Sequence, residues 1–181
     1  ADQQEAPTHN GVVSFDSENY KIGDTVVVTL NDQDMNTDSG LIDVYVTSST
    51  TDKVGTGETI AAGLVLDITF DDLNWNGSDE DSDCAAGDIT GDDGLYATGF
   101  TLLESGVDSG IFTGSFQVPT NFCFTDDDLA VTTGTDLVKG VTGLDMEVNY
   151  QDFRNASGES IEVGAGASIN ANTGSVAFDR T

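Results

Sequence analysis

The sequence predicts an all-β protein, an antiparallel Ig-like or Greek-key β-sandwich, and three observations carry that prediction. Glycine supplies 21 of the 181 residues and clusters with Asn, Asp and Ser at short intervals. Between the clusters lie short runs rich in Val, Ile, Thr and Phe in which apolar and polar residues alternate, the period of a half-buried strand. The i, i+3, i+4 recurrence of an amphipathic helix is nearly absent.

Residues 12–15 open the series, and residues 21–24, Lys-Ile-Gly-Asp, form a turn. Residues 25–30 make a buried strand. Residues 41–49 alternate, with Ile42, Val44 and Val46 on one face and Asp43, Tyr45 and Thr47 on the other, and residues 50–62 form a loop. Leu64, Leu66, Ile68 and Phe70 face the core from the next strand. A long insertion, residues 71–94, follows without strand or helix periodicity, and a structureless stretch of that length inside a domain needs a function. Residues 95–103 and 111–118 are strands joined by a hairpin turn at 104–110, and Pro119 ends the second. Phe122, Cys123 and Phe124 form an apolar patch. Strands follow at 129–133 and 144–150, the latter with Leu144, Met146, Val148 and Tyr150 in strict alternation. Residues 161–163 make the last strand of the body, before a glycine-rich connector that begins at Gly164. The domain plan is a mobile segment 1–10, one sandwich domain 11–165 and a connector with a terminal strand, 166–181.

Thirty-three acidic residues against five basic ones give a formal charge of −28. Such self-repulsion destabilises a compact state unless cations offset it, and it excludes nucleic acid and anionic membranes as partners. No run of about 20 apolar residues exists, so no membrane insertion is expected. The polar start at Ala1 and Asp2 fits a secreted protein after leader removal, and an extracellular or cell-surface location is expected. Two cysteines are too few for a thiolate zinc site, so Cys84 and Cys123 are expected to form one disulfide. With His9 the sole histidine and no nucleophile elbow, no catalytic residues can be assembled and no enzyme is expected.

The acids fall in two patterned stretches. In residues 31–43, NDQDMNTDSGLID, side-chain oxygens recur at every second position: Asp32, Asp34, Asn36 and Asp38, with Asp43 twelfth from Asp32. Calcium takes six to eight oxygens at about 2.3–2.6 Å, and alternate residues of a turning loop can supply them. An EF-hand loop needs glycine at its sixth position, where this stretch has Thr37, so a loop site between strands is expected. In residues 72–83, DLNWNGSDEDSD, Asp72, Asn74 and Asn76 occupy positions one, three and five, Gly77 position six, Glu80 nine and Asp83 twelve. Calcium is therefore the expected cofactor. Two sequons begin at Asn76 and Asn155, and both are candidate glycosylation sites.

Three segments, GVVSFDSENYKIGDTVVVTLNDQDMNTD, LLESGVDSGIFTGSF and LDMEVNYQDFRNASGE, together resemble the Ig-like repeats of archaeal S-layer and cell-surface proteins. The resemblance spans most of the chain and omits the 71–94 insertion and the cysteine pair. It implies a secreted, calcium-stabilised sandwich with a structural role, and it implies Glu104, Asp108 and Asp152 as further metal ligands.

If every strand crosses the sandwich, counting strands puts loops 31–40, 71–94, 119–128 and 151–159 at one end and loops 20–24, 50–62, 104–110 and 134–142 at the other. The first end would then be strongly acidic and would hold both cysteines, a polarity that suits head-to-tail stacking of copies. The start of the chain, Gly-Val-Val-Ser-Phe-Asp-Ser from Gly11, returns at the end as Gly-Ser-Val-Ala-Phe-Asp-Arg from Gly174. Val176 and Phe178 are thereby the apolar residues of a candidate donor strand exchanged between subunits. The functional expectation is a self-assembling extracellular filament or surface layer. The alternative is a calcium-dependent adhesion or carbohydrate-binding module, which would need exposed aromatics and has Trp75 as its only tryptophan.

Overall fold

A computed structural model describes residues 10–47, 54–55, 66–75, 94–125, 136–153 and 155–171. The strands are β1 (Val12–Phe15), β2 (Asn19–Tyr20), β3 (Thr25–Asn31), β4 (Val44–Thr47), β5 (Val54–Gly55), β6 (Leu66–Phe70), β7 (Leu73–Asn74), β8 (Thr101–Glu104), β9 (Ile111–Gln117), β10 (Asn121–Thr125), β11 (Asp136–Gly140), β12 (Asp145–Asp152) and β13 (Ile161–Ile169). One helical turn, α1 (Gly94–Ala97), and one 3-10 turn, Gln33–Met35, are the described helical elements. The protein is all-β, and its pairings are antiparallel apart from a parallel contact between β2 and β13.

One layer runs β1-β3-β9-β8-β4 and the other β6-β12-β13-β2, with β5 bridging β4 to β6. Alternation in the sequence becomes alternation of burial. In β3, Val26, Val28 and Leu30 are fully buried while Thr25, Val27, Thr29 and Asn31 point outward. In β12, Met146, Val148, Tyr150 and Asp152 point inward. Rings fill the space between layers: Trp75 packs on Phe70 at 5.6 Å and on Phe116 at 5.7 Å, and Phe70 meets Phe122 at 4.8 Å.

The two outer faces differ in charge. Outward positions of β1, β3, β9, β8 and β4 are Val, Ser, Thr, Asn, Ile, Gln and Leu, with no charged residue. The outer face of the second layer carries Asp67, Asp145, Glu147 and Glu162. Burial, followed by the charges of Asp72 and Asp145, pushes the Glu147 carboxyl above its ordinary value.

Several expected elements differ. β4 alternates as expected but buries Tyr45 and Thr47, leaving Val44 and Val46 about half exposed. Both polar side chains are satisfied inside: the Tyr45 hydroxyl donates to the Met35 carbonyl at 2.5 Å, and the Thr47 hydroxyl to the Phe100 carbonyl at 2.6 Å. In the expected strand 95–103, residues 94–97 form α1 and only Thr101–Glu104 is extended. The apolar patch at 122–124 is the strand β10, and β11 lies where the loop 134–142 was expected. The expected strand at 129–133 lies outside the described residues. β13 runs on to Ile169, past the expected body end at 165, because its outward Gly164 and Gly166 are tolerated by a backbone ladder to β12.

The assignment of loops to ends holds for 20–24, 134–142 and 151–159 and is overturned for 104–110, for the start of 71–94 and for the segment after β9. β5 lies within residues expected to form a loop and adds one crossing, so the hairpin 104–110 stands at the same end as loop 31–43, where the Asp32 amide donates to the Gly110 carbonyl at 2.9 Å. The hairpin at Asp71 and the segment after β9 stand at the other end, with the turns at 21–24 and 141–144. The hairpin β10-β11 supplies two further crossings where one was expected, which returns loop 151–159 to the Asp32 end. Among the described residues, no helix is long and apolar enough to cross a membrane.

Candidate metal centre

Where β3 ends, the chain turns sharply. Asp32 keeps an extended backbone (φ −152°) and caps the 3-10 turn, its Oδ1 accepting the Asp34 amide at 2.9 Å. That cap turns the Asp32 carboxylate into the protein, where it is 1% exposed. Asp152 closes β12 on the same inward face as Tyr150 and is also 1% exposed. The Tyr150 hydroxyl donates to Asp32 Oδ2, and the Gly11 amide donates to Asp152 Oδ2 at 2.7 Å. A Cβ at residue 11 would lie 2.3 Å from a Tyr150 ring carbon, so only glycine brings the backbone this close.

Asp32, Asp34 and Asp152 form a cluster in which one carboxylate oxygen from each lies within 4.8 Å of the others. Two oxygens on one calcium ion, each at about 2.3–2.6 Å, stand at most about 5 Å apart, so the cluster has the dimensions of a coordination sphere. Its energetics point the same way. Burial pushes the Asp32 carboxyl above its ordinary value, opposed by the Tyr150 hydroxyl and the Asp34 amide and reinforced by the charges of Asp152 and Asp34. Burial and the hydrogen bond to Asp32 likewise raise the Tyr150 phenol. Among the described residues, the groups that hydrogen-bond to the Asp32 carboxylate are the Asp34 amide and the Tyr150 hydroxyl, both neutral. A divalent cation could stabilise carboxylates so placed, and oxygen donors of this hardness suit calcium, magnesium or manganese.

The other expected ligands of this stretch have partners of their own. The Asn36 side-chain amide donates to Asp108 Oδ1 at 2.6 Å, while its own Oδ1 is buried and, among the described residues, has no hydrogen-bond partner. Asp38 is exposed and accepts the Gly40 amide. Asp43 closes the loop on itself by accepting the Thr37 hydroxyl and amide, both at 2.7 Å, and the Thr37 hydroxyl leads in holding its carboxyl below the usual range. Glu104 is buried and accepts the amides of Ser109, Gly110 and Asp43, each at 3.1 Å. It organises the hairpin beside the cluster and is not one of the three converging acids.

The second stretch has a different local structure. Asp71 and Asp72 both have positive φ, 49° and 65°, and form a two-residue turn between β6 and β7 of the primed type. Asp71 is tied to β12, its Oδ1 accepting the Asp145 amide at 3.0 Å. Asn74 lies on β7 opposite Thr69, so Asp72 and Asn74 belong to a tight hairpin, not to an open loop. Asn76, Glu80 and Asp83 lie outside the described residues.

Cys123 is buried and disulfide-bonded, and Cys84, its expected partner, lies outside the described residues. Asn155 sits in the exposed loop after β12 and accepts the amides of Ser157 and Glu159. Val176 and Phe178 lie outside the described residues. Sequence reasoning missed two members of the site, Tyr150 and Gly11. Tyr150 could have been found as the inward neighbour of Asp152 on a strictly alternating strand, whereas nothing around Gly11 signals its approach.

No model of a known protein family matches the chain, and no curated protein matches it.

Proposed function

We propose that the protein is a calcium-stabilised structural module, secreted and assembled head to tail with copies of itself into an extracellular filament or surface layer. The observation that carries the cation part is the Asp32, Asp34 and Asp152 cluster, with two of its three carboxylates buried. An ion there would bind together the start of β1, the turn after β3 and the end of β12, three segments far apart in sequence. Two features support self-assembly. The outer face of β1, β3, β9, β8 and β4 bears no charge on a chain of −28, so copies can meet there without the repulsion any acidic surface imposes. The terminal echo of β1 supplies a strand that another copy could take up. A disulfide at Cys123 fits an oxidising compartment. The adhesive alternative draws no support from Trp75, which lies in the core at 2% exposure. Electron microscopy of the purified protein in calcium should reveal filaments or sheets that disperse in chelator; dispersed particles in both conditions at high protein concentration would contradict the proposal.

A further inference from the structure

Among the described residues, β1 is a four-residue edge strand paired with β3 alone, and its segment is held at four positions. Gly11 must be glycine and donates to Asp152. Val13 is buried, and Phe15 packs edge-on to Tyr20 at 6.1 Å. Asp16 accepts the Tyr20 hydroxyl and the Val27 amide. Val12 and Ser14, between them, point outward. The segment 174–179 repeats the four constrained positions as Gly174, Val176, Phe178 and Asp179, and it differs at both outward ones, with Ser175 and Ala177. The repetition follows the demands of the slot residue by residue.

Chain length prevents a molecule from filling its own slot in this way. Ile169 lies level with Leu144, at the end of the sandwich opposite Asp152. Eight residues of strand separate the two levels, about 26 Å at the rise of a strand. From Ile169 to Gly174 the chain advances five residues, at most about 18 Å. We propose that residues 174–179 of one copy occupy the β1 slot of a second copy, displacing its residues 11–16 and bringing the Gly174 amide onto Asp152 in place of Gly11. This deepens the self-assembly reading and rests on it. It also joins polymerisation to the cation site, because the incoming strand completes the hydrogen bonding of one of the three clustered acids.

The register makes the test specific. Ser14 stands opposite Thr29 on β3, so Ala177 of the incoming strand should stand opposite Thr29 of the receiving copy. In the full chain, the double variant Thr29→Cys/Ala177→Cys, polymerised in calcium and oxidised, should give a ladder of covalent multimers on a non-reducing gel. The off-register pair Thr29→Cys/Asp179→Cys should give none. Gly174→Val, outside the slot of its own molecule, should leave the melting temperature of the monomer unchanged and abolish polymerisation. Wild-type polymers without the Ala177 ladder, equal ladders from both pairs, or normal polymers from Gly174→Val would overturn the slot assignment and leave self-assembly standing. A wild-type chain that never polymerises in calcium would overturn both.

Discussion

The two ends of the sandwich begin from nearly the same sequence, an Asp followed by oxygen-bearing residues at every second position, and end as different things. At the upper end the extended backbone of Asp32 and its cap on the 3-10 turn aim the carboxylate inward, where β12 delivers Asp152 to meet it. At the lower end the left-handed backbones of Asp71 and Asp72 make a tight hairpin, and the Asp71 carboxylate stays 41% exposed, 3.8 Å from the Lys139 ammonium. A surface pair of that kind is worth little. The contrast separates a dense run of carboxylates from a convergent one. Among the described residues, acids from separate segments converge away from water at the upper end, and desolvation of that kind disfavours a metal-free state.

The ends should also be held by different forces, and mutation can separate them. Trp75→Ala empties a packed space between Phe70 and Phe116 near the lower end and should lower stability by about 3–5 kcal/mol, equally with and without calcium. A calcium-dependent loss in chemical denaturation would erase the distinction between the ends. Asp32→Asn should remove most of the calcium-dependent stabilisation, about 3–4 kcal/mol at calcium 100- to 1,000-fold above its dissociation constant, while costing little in chelator, where the buried charge is a burden. Gly11→Ala should damage the same end by forcing apart the contact with Tyr150. Acidification gives a third handle. The Asp32 carboxyl is raised above its ordinary value near 3.8, so the metal-free fold is penalised at neutral pH, and that penalty is lifted as pH falls through the raised value. Calcium needs the deprotonated carboxylates, so the melting-temperature gain on adding calcium should shrink as pH falls from neutrality toward 4. The smallest effect belongs to Asp72→Asn, within about 0.5 kcal/mol and indifferent to calcium.

Much of this architecture is legible in the chain. The strict alternation of residues 144–150 predicts β12 and, through it, the inward aim of Tyr150. The ladder at Asp32 and Asp34 predicts two of the three clustered acids, and the resemblance supplies Asp152. What stays hidden has physical causes. β5 is two residues long and carries too little pattern to register, yet it inverts the ends of the hairpins at Asp71 and 104–110. The alternation of β4 separates two faces without saying which is buried; carbonyl partners at Met35 and Phe100 satisfy the Tyr45 and Thr47 hydroxyls and let that face turn inward. The start of the second acidic stretch reads as a loop because side-chain spacing cannot reveal the two left-handed residues, Asp71 and Asp72, that fold residues 70–74 into a hairpin.

The central claim is that a cation at Asp32, Asp34 and Asp152 holds the upper end together. Calorimetric titration of calcium into the chelator-stripped protein, run beside thermal melts of the wild type and Asp152→Asn, tests it most directly. The wild type should bind saturably with a rise in melting temperature of several degrees, and the variant should lose both. A wild-type melting curve that is the same in calcium and in excess chelator, or a variant that keeps the full response, would contradict it.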